Sequence, residues 1–153
     1  MSDPLPTPCI GTCSTVFGDE VCRGCRRYLH EIQAWNSYDA DLKARVWLRL
    51  ESELQQVFSR HYRIVDARLL QTQPTPRALA HTSLAYRAVA LLRRRPTHDP
   101  RHLGLLALRP GSPEHCLADL LDELYTLAQA HYERSYRRCK GATFGKTMMN
   151  SLP

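Results

Sequence analysis

The chain has 153 residues, 43% hydrophobic and 24% charged, with a formal net charge of +6. That length suits one domain, or a small domain with an appendage, and the apolar content is ordinary for a globular core. No apolar run approaches the ~20 residues that span a bilayer, and residues 1–8 have neither the basic nor the apolar part of a secretory signal, so the expectation is a cytoplasmic protein without a membrane partner.

In chain order, residues 1–8 are Pro-rich and read as an extended lead into Cys9. Four of the six cysteines follow in the pattern Cys-x3-Cys-x8-Cys-x2-Cys: Cys9, Cys13, Cys22 and Cys25. Burial alone would scatter cysteines along the chain, whereas these are placed to converge. Gly24, inside the second pair, suits a tight turn that tolerates no Cβ. In such a turn backbone N–H groups can point at sulfur and stabilise its charge.

Residues 28–35 predict a short helix with Leu29, Ile32 and Trp35 on one face, and residues 36–38 predict a break. Asp39 reads as the N-cap of a second helix running to about Ser59. Its apolar stripe is Leu42, Val46, Leu50, Leu54 and Val57 or Phe58, widened by Trp47. Lys43, Arg45, Arg49, Glu51 and Glu53 are expected on its wet side. Residues 61–65 fit either a short strand or the tail of that helix, and residues 66–73 a turn or two of helix. Pro74 and Pro76 punctuate the chain. Residues 77–95 predict a helix ended by Pro96, residues 96–102 a loop, and residues 102–109 an apolar stretch too short to assign. Ser112, Pro113 and Glu114 mark a strong helix start. The helix is expected to reach about Arg138, with Leu117, Leu120, Leu121, Leu124, Ala128 and Tyr132 as its stripe. Residues 140–153 lack periodicity and read as a flexible tail.

The chemistry lies in the four clustered thiols. Cytosolic thiols stay reduced, so close pairs point to metal or redox chemistry more than to disulfides. Four thiolates at this spacing can close a tetrahedron around Zn²⁺, or hold an iron–sulfur cluster; the spacing alone leaves both open. A Gly- and Pro-rich segment of this size needs a staple, and structural metal sites supply about 10–16 kcal/mol of apparent binding energy. Arg23, Arg26 and Arg27 would favour the thiolates. A thioredoxin-like reading of Cys22 and Cys25 lacks the preceding strand that it needs. His30 reads as a surface residue rather than a ligand, and Cys116 and Cys139 as buried or incidental thiols. Gly141 to Thr147 is one residue short of a phosphate loop and follows a helix, which excludes that reading. No serine–histidine–acid set and no suggestive carboxylate pair points to hydrolysis, so no catalytic residue is assigned.

Charge is uneven along the chain. Residues 1–60 hold seven basic and eight acidic side chains, and residues 61–153 hold fourteen and seven. The basic part could meet nucleic acid, with Arg93 to Arg95 or Arg134, Arg137, Arg138, Lys140 and Lys146 on phosphates and Tyr132 and Tyr136 stacking on bases. A solvated Arg-rich surface explains the same residues.

The stretch Pro8-Cys9-Ile10-Gly11-Thr12-Cys13, then Cys22-Arg23-Gly24-Cys25-Arg26-Arg27, then Glu31-Ile32 and Trp35, resembles a family of small bacterial proteins. These are the YdhL-like proteins, domain of unknown function 1289, described as predicted iron–sulfur proteins. The resemblance covers residues 6–52 and implies Cys9, Cys13, Cys22 and Cys25 as metal ligands. Tyr28 stands where the family usually has Thr, so the Thr-x-x-Glu capping box ending at Glu31 is not expected.

The sequence therefore predicts a mostly α protein. Residues 1–60 form a four-Cys metal-binding module with a helical pair, and residues 61–153 a basic helical region. The expected function is a metal- or iron–sulfur-cluster-binding accessory protein that docks on a protein partner. An electron-transfer or redox-sensing iron–sulfur protein, and a nucleic-acid-binding protein, stand as alternatives.

Overall fold

A computed structural model of the chain describes residues 5–137. The tail at 140–153, Cys139, Arg138 and the Gly141 to Thr147 segment lie outside the described residues. Among the described residues, five α-helices and two short strands follow one another: α1 (Leu29–Gln33), α2 (Ala40–His61), β1 (Tyr62–Ile64), α3 (Ala67–Thr72), α4 (Leu84–Arg94), β2 (Leu105–Ala107) and α5 (Pro113–Tyr132). The chain is mostly helical, as its periodicity predicts.

The two long helices form where the cap and stripe signals coincide. Asp39 accepts the Leu42 N–H at 2.8 Å and starts α2. Ser112 accepts the His115 N–H at 3.3 Å and starts α5, with Pro113 in its first turn. Each cap satisfies a donor that the helix leaves open. Along α2, Val46, Trp47, Leu50, Leu54, Val57 and Phe58 are buried; along α5, Leu117, Leu120, Leu124 and Ala128. Every fully buried large side chain of this kind contributes about 1.5–3 kcal/mol. The main apolar cluster joins these two stripes, Ala128 apart, to Tyr86, Ala88, Val89 and Leu92 of α4, and reaches back to Trp35, while Ala128 packs with Val21 and Tyr28 in a second, smaller cluster. It thus draws on residues either side of residue 60.

Residues 61–65 resolve into β1, which pairs antiparallel with β2 in the register Tyr62 to Ala107, Arg63 to Leu106 and Ile64 to Leu105. Gly104 closes this pair. Its φ of 74° lies in the left-handed region, a Cβ there would collide with the Asp66 carbonyl, and its own carbonyl accepts from Val65 and Asp66. Leu42, expected in the α2 stripe, is 42% exposed.

Two expectations need correction. The helix expected over 77–95 begins only at Leu84, after a 3-10 turn at Arg77–Leu79. Ser83 is its cap, and Glu51 of α2 fixes that cap by accepting from both the Ser83 backbone N–H (2.9 Å) and hydroxyl (2.6 Å). A tertiary contact from another helix therefore sets the boundary. The expected wet side of α2 is also partly wrong. Glu53 is 1% exposed, and Arg49 lies between Glu53 and Glu31 at 3.2 and 2.6 Å. The N-terminal module and α5 cover this side of the helix, and the ion pairing makes the burial tolerable.

Candidate metal centre

The cysteine module is a turn with an arm laid across it. Val21 and Tyr28 form an isolated antiparallel bridge, and between them the chain folds back on itself: the Cys22 N–H donates to the Arg27 carbonyl at 2.9 Å, and the Arg26 N–H to the Cys22 carbonyl at 2.8 Å. Cys22 and Cys25 lie inside this turn, 1% and 2% exposed. Arg26 closes it with a φ of 63°, a left-handed backbone on a residue that carries a side chain.

The arm runs from Cys9 to Cys13. Before it, Pro8 is buried and the Trp47 indole donates to the Pro6 carbonyl at 2.9 Å, which ties the lead to α2. The arm's middle rests on the turn: a Cβ at Gly24 would stand 2.7 Å from the Thr12 carbonyl and 3.0 Å from the Ile10 side chain. This close approach is why the turn holds glycine there. The Cys22 sulfur faces the Thr12 carbonyl at 3.8 Å. The arm ends in a 3-10 turn at Ser14–Phe17, where the Ser14 hydroxyl accepts the Arg23 N–H at 2.8 Å.

The structure thus brings Cys22 and Cys25 together and sets Cys9 and Cys13 at the two ends of the segment that covers them. Cys9 is exposed and Cys13 half-buried. Among the described residues no three His, Cys, Asp or Glu side chains stand close enough together to hold a metal ion, and the five described cysteines are all free thiols. The donor chemistry nevertheless suits a thiophilic centre. Burial works to raise the Cys22 pKa, but backbone N–H groups of Cys25, Ser14 and Gly24, together with the Cys25 thiol, bring it down to about 7. Burial pushes the Cys25 thiol up, against the hydrogen bond from Arg27. Backbone N–H groups aimed at a buried sulfur are the feature expected of a metal-binding turn.

Cations surround the turn. The Arg27 Nε donates to the Cys25 sulfur at 3.5 Å, and the Arg26 Nη2 to the Leu50 carbonyl at 3.2 Å. From α4, the Arg93 Nη1 donates to the Gly24 carbonyl at 3.0 Å. Burial and the neighbouring Arg26 charge lower the Arg93 pKa. In the sequence Arg93 stands in a basic run that could meet phosphate or solvent, and nothing there connects it with a turn 69 residues earlier.

A buried ionic network anchors the module to the helices. Glu31 accepts from the Tyr28 N–H at 2.9 Å and from Arg49 at 2.6 Å, giving half of a capping box although Tyr28 supplies no side-chain cap. Arg49 lies 3.9 Å over the Tyr28 ring, and Glu53 meets His131 of α5 at 3.0 Å. Burial favours the neutral form of Arg49, but the Glu31 and Glu53 carboxylates outweigh it and raise its pKa. An acid and a base four apart beside the stripe of α2 were the available signal for this network. His30 is exposed, packed against Tyr136 at 4.8 Å, and Cys116 is buried, its thiol donating to the Arg109 carbonyl at 3.5 Å.

The fold and this site define a small helical protein with an N-terminal cysteine module laid across its helices. The family described as protein of unknown function (DUF1289) matches residues 7–54, the segment that carries all four clustered cysteines, Glu31 and Trp35 and ends within α2. It is the family whose cysteine pattern the sequence resembles. No curated protein and no solved structure matches the chain.

Proposed function

We propose that Cys9, Cys13, Cys22 and Cys25 bind a metal ion or iron–sulfur cluster, and that the chain is an accessory protein which presents this centre to a protein partner and has no catalytic site of its own. The observation that carries this reading is the buried Cys22–Cys25 turn, with the Arg27 guanidinium donating to the Cys25 sulfur and the Cys9–Cys13 arm lying across it. Closing the arm would bring all four thiols to one centre, and metal binding would supply the energy to order it. Zn²⁺ would act as a structural staple; a cluster would add one-electron chemistry.

The exposure of Cys9 favours one second reading. A centre with a ligand at the surface is open to electron exchange or oxidants, which suits electron transfer or redox sensing.

Metal and acid-labile sulfide analysis with a visible spectrum, on anaerobically purified protein, tests both readings. Iron with sulfide and a brown chromophore that bleaches on reduction supports the redox form; one colourless zinc per chain supports the staple. Cys22→Ser is expected to lose most bound metal and to open residues 5–30 to limited proteolysis, while the α2–α5 pair keeps its helical circular dichroism. Unchanged metal content and protease resistance in that variant would sink the four-thiolate site.

A further inference from the structure

Three arginines converge at the Cys22–Cys25 turn, Arg26 and Arg27 from its own backbone and Arg93 from α4, without a carboxylate paired to any of them. Arg26 and Arg27 are 3% and 4% exposed, and Arg93 is half-buried. They donate to the Leu50 carbonyl, the Cys25 sulfur and the Gly24 carbonyl. Among the described residues, no Asp or Glu forms an ion pair with any of the three, whereas Arg23 and Arg60 each have one such partner and Arg49 has two. The Nε atoms of Arg26 and Arg93 are buried without an acceptor. Aromatic faces, Tyr86 for Arg26 and Trp35 for Arg27, give partial compensation. Buried charge without a counter-charge is unfavourable, so this geometry calls for negative charge at the turn. Neutral thiols supply none. Four thiolates around a divalent ion, or around an oxidised cluster core of like charge, carry a net charge of about −2.

We infer that Arg26, Arg27 and Arg93 are the built-in counter-charge of an anionic tetrathiolate centre, and that Arg93, which lies outside the matched segment 7–54, is a positioning residue of that centre. This rests on the four-thiolate reading above. The basic second part of the chain then has a local role: α4 delivers a cation to the first part. In a redox-active centre the same three charges favour the more negative state.

The test uses full-length protein loaded with Zn²⁺, and measures zinc per chain and the rate of its release to excess EDTA. Arg93→Gln keeps a donor for the Gly24 carbonyl but removes the charge; Arg93→Lys keeps the charge; Arg94→Gln alters an exposed neighbour. Arg93→Gln is expected to bind one zinc and release it about tenfold faster or more, in the range found when groups outside the ligand shell are removed. Arg93→Lys and Arg94→Gln should stay close to the parent. In metal-free protein, Arg93→Gln should not lower the thermal midpoint, because it removes one of three like charges. Equal release rates in Arg93→Gln and parent would overturn the inference. So would a metal-free midpoint lowered as much as the loaded one, loss of the fold included, since that marks a purely structural role. Cys22→Ser, measured alongside, separates the two levels. If it keeps its zinc, the four-thiolate reading itself fails; if it loses zinc while Arg93→Gln behaves like the parent, only the counter-charge inference fails.

Discussion

Tyr28 shows how one side chain is traded for another. A threonine there would cap α1; Tyr28 gives up that cap and instead lays its ring under the Arg49 guanidinium and against Tyr132, 5.0 Å between centroids. Burial raises its phenol pKa well above the ordinary value, so it stays neutral beside Glu31 and Glu53. The missing cap was legible in the sequence, because capping is local. The gain was not, because it depends on Arg49 and α5. Glu53 is a second such residue: its charge suggested a wet position, yet it is fully covered and held by Arg49 and His131. Glu53→Gln is expected to cost about 3 kcal/mol, the lower end for breaking a buried pair because Arg49 keeps Glu31. Urea unfolding of the two proteins side by side measures it; a difference within 0.5 kcal/mol, typical of surface sites, would show that the network does not carry stability.

At the scale of elements, α2 and α5 were legible because cap, stripe and length agree. The start of α4 was not: residues 77–83 carry helical propensity, but Glu51 fixes Ser83 as the cap from another helix. β1 and β2 are three residues each and pair across a separation of some forty positions, too short and too distant for periodicity to reveal. Spacing and the family resemblance point to the four cysteines of the module as ligands, whereas its shape, an arm resting on a turn, depends on the contact between Gly24 and Thr12. Gly24→Ala tests that shape. The new Cβ must displace the Thr12 carbonyl, an overpacking cost of about 1–3 kcal/mol, and protease cutting within residues 9–13 should accelerate while α2 and α5 keep their circular dichroism. An arm equally protected in both proteins would show that it does not rest on Gly24.

Over the whole molecule, the excess positive charge of residues 61–153 has partly internal uses. Arg93 reaches the cysteine turn, and Arg109 joins Arg60 and His61 around Glu123. Tyr132 and Tyr136, which in the nucleic-acid alternative could stack on bases, pack against each other and against Tyr28, with His30 on Tyr136. No helix among the described residues is long and apolar enough to cross a membrane. Glu123 links the end of α2 to α5 and gives the fold a pH dependence. The hydrogen bond from His61 lowers its pKa, against partial burial and with help from Arg60. A carboxylate depressed on folding stabilises above its unfolded pKa, about 4.3, and that contribution is lost as pH falls through the folded value. Glu123→Gln should therefore be less stable than the parent at pH 7, with the gap closing below about pH 4. Thermal midpoints between pH 3 and 7 would show this; parallel curves would mean that Glu123 contributes no pH-dependent stability.

The chain has two tryptophans, and both belong to the setting of the cysteine module. Trp47 is hydrogen-bonded to the lead before Cys9, and Trp35 lies beneath Arg27, 4.8 Å from its guanidinium carbon. The protein therefore carries its own optical reporter at the site under question. A cluster absorbs where indoles emit and would darken both by energy transfer, whereas zinc, with a filled d shell, would leave them bright. The intrinsic emission of the untouched protein can thus distinguish the two occupants before any side chain is changed.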